Sequence, residues 1–287
     1  MGGLPVKVGD RIKVHISSLN ARAQGVARQE GYVVFITGAL PGEDCIVQIV
    51  TTTKKYAIAR LVKRSNDSKL RADAPCPYFG KCGGCQLQHI KYQGQLLYKQ
   101  KKIIDAIAKI SGIKKDVVLP VKGMEHPWAY RNKAIFSVRQ MQEGPSAGFY
   151  TSNSHALVDI KECLISKKEI NQVLSGARDW MNQYHIMGYD EKRKSGDVKG
   201  IFARAGENRQ VMAGVITSGQ QLPLEEAFVI KLRQVNSSIV SIFHNVNCKD
   251  TSLPMGDDTR FIWGRNVIEG KIGKLSFEMS PESFYQV

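Results

Sequence analysis

Three cysteines within ten residues, Cys76, Cys82 and Cys85, constrain this chain more than any other feature. The segment Cys76-Pro-Tyr-Phe-Gly-Lys-Cys82-Gly-Gly-Cys85 has the pattern C-x5-C-x2-C. Thiolates separated by two residues can point at one centre, and Gly83-Gly84 lets the backbone wrap closely there because no side chain obstructs it. Cys76 nearly completes a tetrahedral set, and the fourth ligand must come from Cys45, Cys163 or Cys248. Cys163 follows a strand expected at Ala156 to Ile160, on a connection able to return to the loop. Unconnected buried thiols and a Cys82/Cys85 redox dithiol are the competing readings, but the βαβ context of such dithiols is missing. Zinc and iron-sulfur both accept four cysteines. Structural zinc sites generally show two paired knuckles. Three clustered cysteines with a distant fourth resemble the spacing of cluster-binding ferredoxins, so an iron-sulfur cluster is the leading occupant.

Cysteine usage of this kind belongs to a reducing cytoplasm. The first residues carry no apolar core or small-residue cleavage site, and no apolar run approaches the roughly 20 residues of a membrane span. The expected protein is therefore cytoplasmic, without a membrane partner, and monomeric. The formal net charge is +15, and it lies entirely in the first 140 residues: +6 over residues 1–70 and +8 over residues 86–140, with the remainder nearly balanced. Such an excess attracts polyanions by counterion release, which points to nucleic acid.

Loose alternation predicts five strands in the first 65 residues, at Asp10–Ile16, Gly25–Arg28, Tyr32–Ile36, Asp44–Val50 and Tyr56–Val62. That spacing fits a small OB-like barrel of the sort that binds single-stranded nucleic acid. Ser65-Asn66-Asp67-Ser68 reads as a polar linker. Helical periodicity predicts a helix from Gln93 to Ile110, ended by Gly112. A second should start at Ser166, capped reciprocally with Glu169, and a third should run over Leu224 to Val235. Strands are expected at Ala134–Val138, Val211–Thr217, Ile239–Phe243 and Leu275–Met279. Together these give an α+β domain around the cysteines.

Read through to His89, the segment CPYFGKCGGCQLQH resembles the bacterial RNA uracil-5-methyltransferases, which use S-adenosylmethionine to make 5-methyluridine. Gly25-Val26-Ala27-Arg28, Phe35-Ile36 and Leu40-Pro41-Gly42 are similar to the TRAM domain of these enzymes. Tyr130-Arg131-Asn132-Lys133 is similar to a basic segment of their central domain. Gly148-Phe149-Tyr150 with Val158-Asp159-Ile160 matches the stretch before their fourth cluster ligand, here Cys163. Ser280 to Val287 resembles the start of their methyltransferase domain.

The resemblance implies a TRAM barrel over residues 1–66, a central iron-sulfur domain over 67–277, and the beginning of a doubly wound α/β methyltransferase domain at 278–287. On this reading the methyltransferase domain is missing beyond Val287. With it would go the cysteine nucleophile that adds to uracil C6 and the base that later removes the C5 proton. An RNA-recognition fragment, catalytically inactive by itself, is the expectation. It further implies Cys76, Cys82, Cys85 and Cys163 as ligands of a 4Fe-4S cluster and Gln286 as a contact to S-adenosylmethionine. The RNA partner expected is 23S rRNA, with Arg131 and Lys133 on phosphates and Phe149 as a stacking residue. A tRNA substrate, or a stand-alone RNA-binding iron-sulfur adaptor, is the competing expectation.

Overall fold

Along the longer strands of the first sheet buried apolar side chains alternate with more exposed ones, and that alternation sets the architecture. The computed structural model of the protein describes residues 4–112, 117–152, 154–249 and 253–285. Two compact units emerge, Met1–Gly80 with Cys85–Met124, and Lys81–Gly84 with Glu125–Val287.

The first unit opens with β1 (Arg11–His15), β2 (Ser18–Leu19), β3 (Gly25–Gln29), β4 (Tyr32–Thr37), β5 (Asp44–Thr52) and β6 (Tyr56–Arg64). They form one sheet in the order β1-β5-β6-β4-β3-β2, antiparallel except for the parallel β4–β6 pair. Irregular register at Ile46/Val47 and Ile49/Thr51 bends β5, as bulges do, so the sheet curls around its own core. Val34, Ile36, Val47, Ile49, Ala57 and Ala59 fill that core. Gly42 sits at φ 84°, a left-handed conformation that favours glycine and turns the chain into β5.

The stretch expected as a linker is hydrogen-bonded to the barrel. Asn66 accepts the Asp44 amide at 2.7 Å and donates to the Gly42 carbonyl at 2.8 Å. Glu43, fully buried, is held by the Arg71 guanidinium (Nη2 to Oε2, 2.8 Å) and by the amides of Leu40 and Ser68. Helix α1 (Tyr92–Ser111) ends on Gly112 at φ 67°, as the sequence indicates. Tyr98 fastens it, donating to the Asn20 carbonyl at 2.9 Å and accepting the Ala23 amide at 3.1 Å. Much of the α1 apolar stripe stays in solvent, with Leu97, Ile103 and Ile110 exposed.

The second unit is a seven-stranded sheet, β13-β12-β11-β10-β7-β8-β9. Its strands are β7 (Lys133–Met141), β8 (Gly144–Tyr150), β9 (Leu157–Asp159), β10 (Val198–Ala205), β11 (Val211–Thr217), β12 (Ile239–Val246) and β13 (Asp258–Gly264). The expected α+β arrangement is corrected here: β11 and β12 run parallel through helix α3 (Glu225–Val235), so the sheet is a mixed α/β sheet with a crossover unit inside it. Helix α2 (Lys168–Gln183) lies beside α3, and Trp180 meets Phe228 with ring centroids 4.8 Å apart. Their apolar faces pack on Phe136, Val138, Ile201 and Val215 of the sheet. A hairpin of β14 (Ile268–Ile272) and β15 (Leu275–Met279) joins Phe202, Met212 and Phe243 in a second cluster.

Ser166 does not cap α2. The helix begins after Lys167 with no side-chain cap. Ser166 is buried, bridged to Arg131, and its amide closes the Cys163 turn at 3.0 Å. That bridge fixes its backbone, so its hydroxyl is not presented to the helix N-terminus. Among the described residues, no helix is long and apolar enough to cross a membrane.

Candidate functional site

Cys82 and Cys163 are positioned by neighbouring parts of the second unit. Cys82 forms an isolated bridge with Thr151, and the Gly83 amide donates to the Tyr150 carbonyl at 2.9 Å. A Cβ at Gly83 would lie 3.1 Å from both the Ser152 nitrogen and the Tyr150 oxygen, which explains why glycine follows Cys82. Cys163 is clamped by one side chain: Asn171 Oδ1 accepts its amide at 2.9 Å and Asn171 Nδ2 donates to its carbonyl at 3.2 Å. Cys76 and Cys85 belong to the first unit, where the Cys76 amide donates to Gln88 Oε1 at 3.3 Å.

No disulfide involves any of the six cysteines, and Cys76, Cys82, Cys85 and Cys163 are all half-buried. The donor set suits a thiolate cluster chemically. Its geometry does not yet suit one: among the described residues, no three His, Cys, Asp or Glu side chains are gathered closely enough to hold a metal ion. Cys45 is a core residue of β5, and burial, reinforced by the Glu43 charge, pushes its thiol up to about 11. It is therefore unsuited to act as a nucleophile. Cys248 is exposed.

The structure brings two of the three expected RNA contacts together. Arg131 lies over the Phe149 ring, its guanidinium carbon 5.6 Å from the centroid, and Phe149 in turn packs 5.0 Å from Phe136. Lys133 is placed elsewhere. Its ammonium donates to the carbonyls of Pro281 (3.1 Å) and Ser283 (3.3 Å), over the Phe202 ring. Burial, with the adjacent Arg204 charge adding to it, pushes this ammonium down to about 8.

Arg204 was not singled out by sequence reasoning. It is fully buried and donates to Ser280 O at 2.6 Å and to Ser283 O, so two cations hold the segment after β15. The available signal was an arginine inside the otherwise apolar run Gly200 to Ala205. His89 is also buried, and desolvation with the Arg71 charge pushes it down to about 4, so it stays neutral near pH 7. Gln286 lies outside the described residues.

In the first unit a cavity of about 600 Å³ opens between α1 and the barrel. Leu40, Leu70 and Ile90 line it, with Lys101, Lys102 and Lys109 along the same wall. The arrangement pairs apolar surface with the cationic excess of the sequence.

Residues 5–62 match the TRAM domain. Over 99% of its length the chain is 39% identical to an RNA methyltransferase of Halalkalibacterium halodurans that is itself uncharacterized, and it covers 62% of that protein. An uncharacterized RNA methyltransferase of Caldanaerobacter subterraneus is 37% identical over 98% of the chain, again with 62% of the relative covered. The chain thus spans less than two thirds of the length of the curated relatives it matches. Among solved structures, 95% of the chain aligns with 60% of the Pyrococcus abyssi tRNA (uracil-54, C5)-methyltransferase, solved in complex with S-adenosyl-L-homocysteine, at a TM-score of 0.74 and 25% identity.

These matches correct the reading of the chain as a catalytically inactive fragment that lacks its methyltransferase domain. That reading rested on the position of Val287. The alignments instead tie 99% of the residues to proteins named RNA methyltransferases and 95% to a methyltransferase bound to a cofactor product. Inactivity and a missing doubly wound domain therefore do not follow from the sequence.

Proposed function

We propose that this chain works in an S-adenosylmethionine-dependent RNA methyltransferase whose target atom is C5 of a uridine. The alignment of nearly the whole chain with a solved tRNA (uracil-54, C5)-methyltransferase is the observation that carries this reading. The TRAM match over residues 5–62 and the basic first half support an RNA partner. S-adenosylmethionine, when bound, would supply the methyl group as an electrophile. The chain's own part is to hold RNA through the barrel, the α1 lysines and the sheet unit, so that the target base can leave its stack. We favour 23S rRNA over tRNA because the TRAM domain and the four cysteines occur together here. Disrupting the gene that carries this sequence should remove 5-methyluridine from the 23S rRNA nucleosides measured by mass spectrometry, with tRNA nucleosides unchanged. Loss from tRNA alone would transfer the substrate to tRNA. Unchanged 5-methyluridine in both would sink the proposal.

Cys76, Cys82, Cys85 and Cys163 are the proposed ligands of a 4Fe-4S cluster. Their support is the all-thiolate donor set, the C-x5-C-x2-C spacing and the Asn171 clamp that fixes the Cys163 backbone. The cluster would act as a staple, with no step of methyl transfer routed through it. Metal binding of this kind is coupled to folding, so the ligands need not be gathered beforehand. Cys163→Ser should lose the iron and sulfide found in anaerobically purified protein, whereas Cys248→Ser should keep both. Full iron content in Cys163→Ser would refute the ligand set.

A further inference from the structure

Side chains alternate along β3, β4 and β6, so the residues between the buried Ala27, Val34, Ile36, Ala57 and Ala59 point away from the barrel core. Strand register sets these outward residues in rows. Arg28 lies opposite Val33 and Val33 opposite Tyr56; Val26 lies opposite Phe35 and Phe35 opposite Ile58; Thr37 lies opposite Arg60. The middle of this outer face is apolar and open to solvent. Tyr56 and Ile58 are exposed, and the half-buried Phe35 meets Tyr56 with ring centroids 5.3 Å apart. Exposed apolar side chains in contiguous positions mark an interaction surface.

The charge around the rings is cationic and keeps no carboxylate partner. Arg60 donates through Nε (3.1 Å) and Nη2 (2.6 Å) to Gln48 Oε1, and Arg28 donates to the Gly31 carbonyl at 3.2 Å. Both acceptors are neutral, so they orient the guanidinium groups without cancelling their charge. Lys54 and Lys55, both exposed, form the turn that leads into Tyr56. Among the described residues none of these four cations forms an ion pair. Residues 24–37 and 54–60 hold these four against one carboxylate, Glu30, so the surplus is real. Outward side chains recur roughly every 6.6 Å along β6, which sets Tyr56 and Arg60 about 13 Å apart. An unpaired RNA strand answers both features, with base faces for the rings and phosphates for the cations. A duplex keeps its base faces inside the stack and offers the rings nothing.

We infer that this outer face of the barrel holds unpaired RNA beside the target uridine, one base stacked at the Tyr56–Phe35 pair and the backbone across Arg28, Arg60 and the Lys54-Lys55 turn. The inference rests on the RNA reading above and narrows its substrate class to RNA that is single-stranded next to the modified base. Stacking tolerates any base, so this face grips the strand and does not choose the target. The test is fluorescence anisotropy on the whole chain, with a labelled oligouridylate and a fully paired RNA duplex of equal length. Oligouridylate should bind about tenfold more tightly than the duplex. Tyr56→Ala should weaken oligouridylate binding about tenfold, and Tyr56→Phe should bind like the parent, because the ring makes the contact. Arg60→Gln should reduce the slope of log affinity against log salt by about 0.7, the share of one single-strand phosphate. Both side chains are exposed, so the variants should keep the parent's urea midpoint. Photocross-linking of a 4-thiouridine oligomer should label the peptide containing Tyr56. If oligouridylate binds but Tyr56→Ala and Arg60→Gln match the parent and cross-links map elsewhere, the assignment of this face fails and the RNA reading survives. Equal affinity for the duplex would overturn the single-strand requirement. If the unmodified protein binds neither oligouridylate nor ribosomal RNA, both readings fail.

Discussion

Glu43→Ala is expected to cost the N-terminal barrel roughly 3–5 kcal/mol, because it removes the fully buried carboxylate that pairs with the largely buried Arg71 guanidinium. The carboxylate is fully buried and serves four donors: two guanidinium nitrogens of Arg71 and the amides of Leu40 and Ser68. Removing it leaves the two amides without their acceptor and Arg71 with the Gly38 carbonyl and the more distant Asp67 carboxylate at 3.8 Å, which is the costly half of a buried ion pair. Hydrogen exchange at β5 and β6 amides, with urea unfolding, measures the loss. A change below about 1 kcal/mol, the ordinary worth of an exposed pair, would show the network to be ornamental.

The same carboxyl sets an acid limit. Burial alone would raise its pKa, but the Arg71 bond and the two amides outweigh burial and hold it below the usual carboxylate range. Its stabilisation is therefore complete above the unfolded value of about 4.3 and fades as pH falls through the lower folded value. The barrel should remain folded to below about pH 4 in the unmodified protein, and Glu43→Gln should flatten that dependence.

How much of this was legible in the sequence depends on whether local or tertiary physics decided the outcome. Helix α1 was legible because Leu96, Leu97, Ile103 and Ile107 repeat at helical spacing and Gly112 supplies the stop. The barrel strands were legible from alternation, except β2, whose two residues are too few to show a period. Strand β8, Gly-Pro-Ser-Ala-Gly-Phe-Tyr, carries turn-forming residues and is a strand because β7 and β9 flank it. Strand β10 is buried along nearly its whole length, so it has no alternation to read. Ser166 and Glu169 match a capping pattern, but the bridge to Arg131 claims Ser166 first.

The candidate site divides the same way. The cysteines announce themselves by spacing. The Asn171 clamp on Cys163 does not, because it depends on a partner 8 residues away in a fold the local sequence does not dictate. Lys133 shows the converse: a basic residue in a basic segment reads as a phosphate contact, yet its ammonium is spent on the carbonyls of Pro281 and Ser283.

Gly148→Ala should be among the most damaging single methyls in the second unit. A Cβ there would stand 2.0 Å from the Val158 carbonyl oxygen and 3.0 Å from the Ile160 nitrogen, both backbone atoms of the paired strand. Neither can turn aside as a flexible side chain would, so β9 must move off β8. That movement breaks the register Gly148 to Asp159 and the Ile160 amide bond to Ala147. It also displaces Asp159 from Arg178, whose Nη2 donates to it at 2.9 Å. The cost should reach about 3 kcal/mol, the upper end of the usual range for overpacking. Because Cys163 follows β9, iron content should fall together with stability. Gly219→Ala, where an added Cβ meets nothing within 4 Å, should stay within about 0.5 kcal/mol of the parent. Equal urea midpoints for the two variants would mean that β8 and β9 do not pair in this register. Both the placement of Tyr150 and the path to Cys163 would then have to be redrawn.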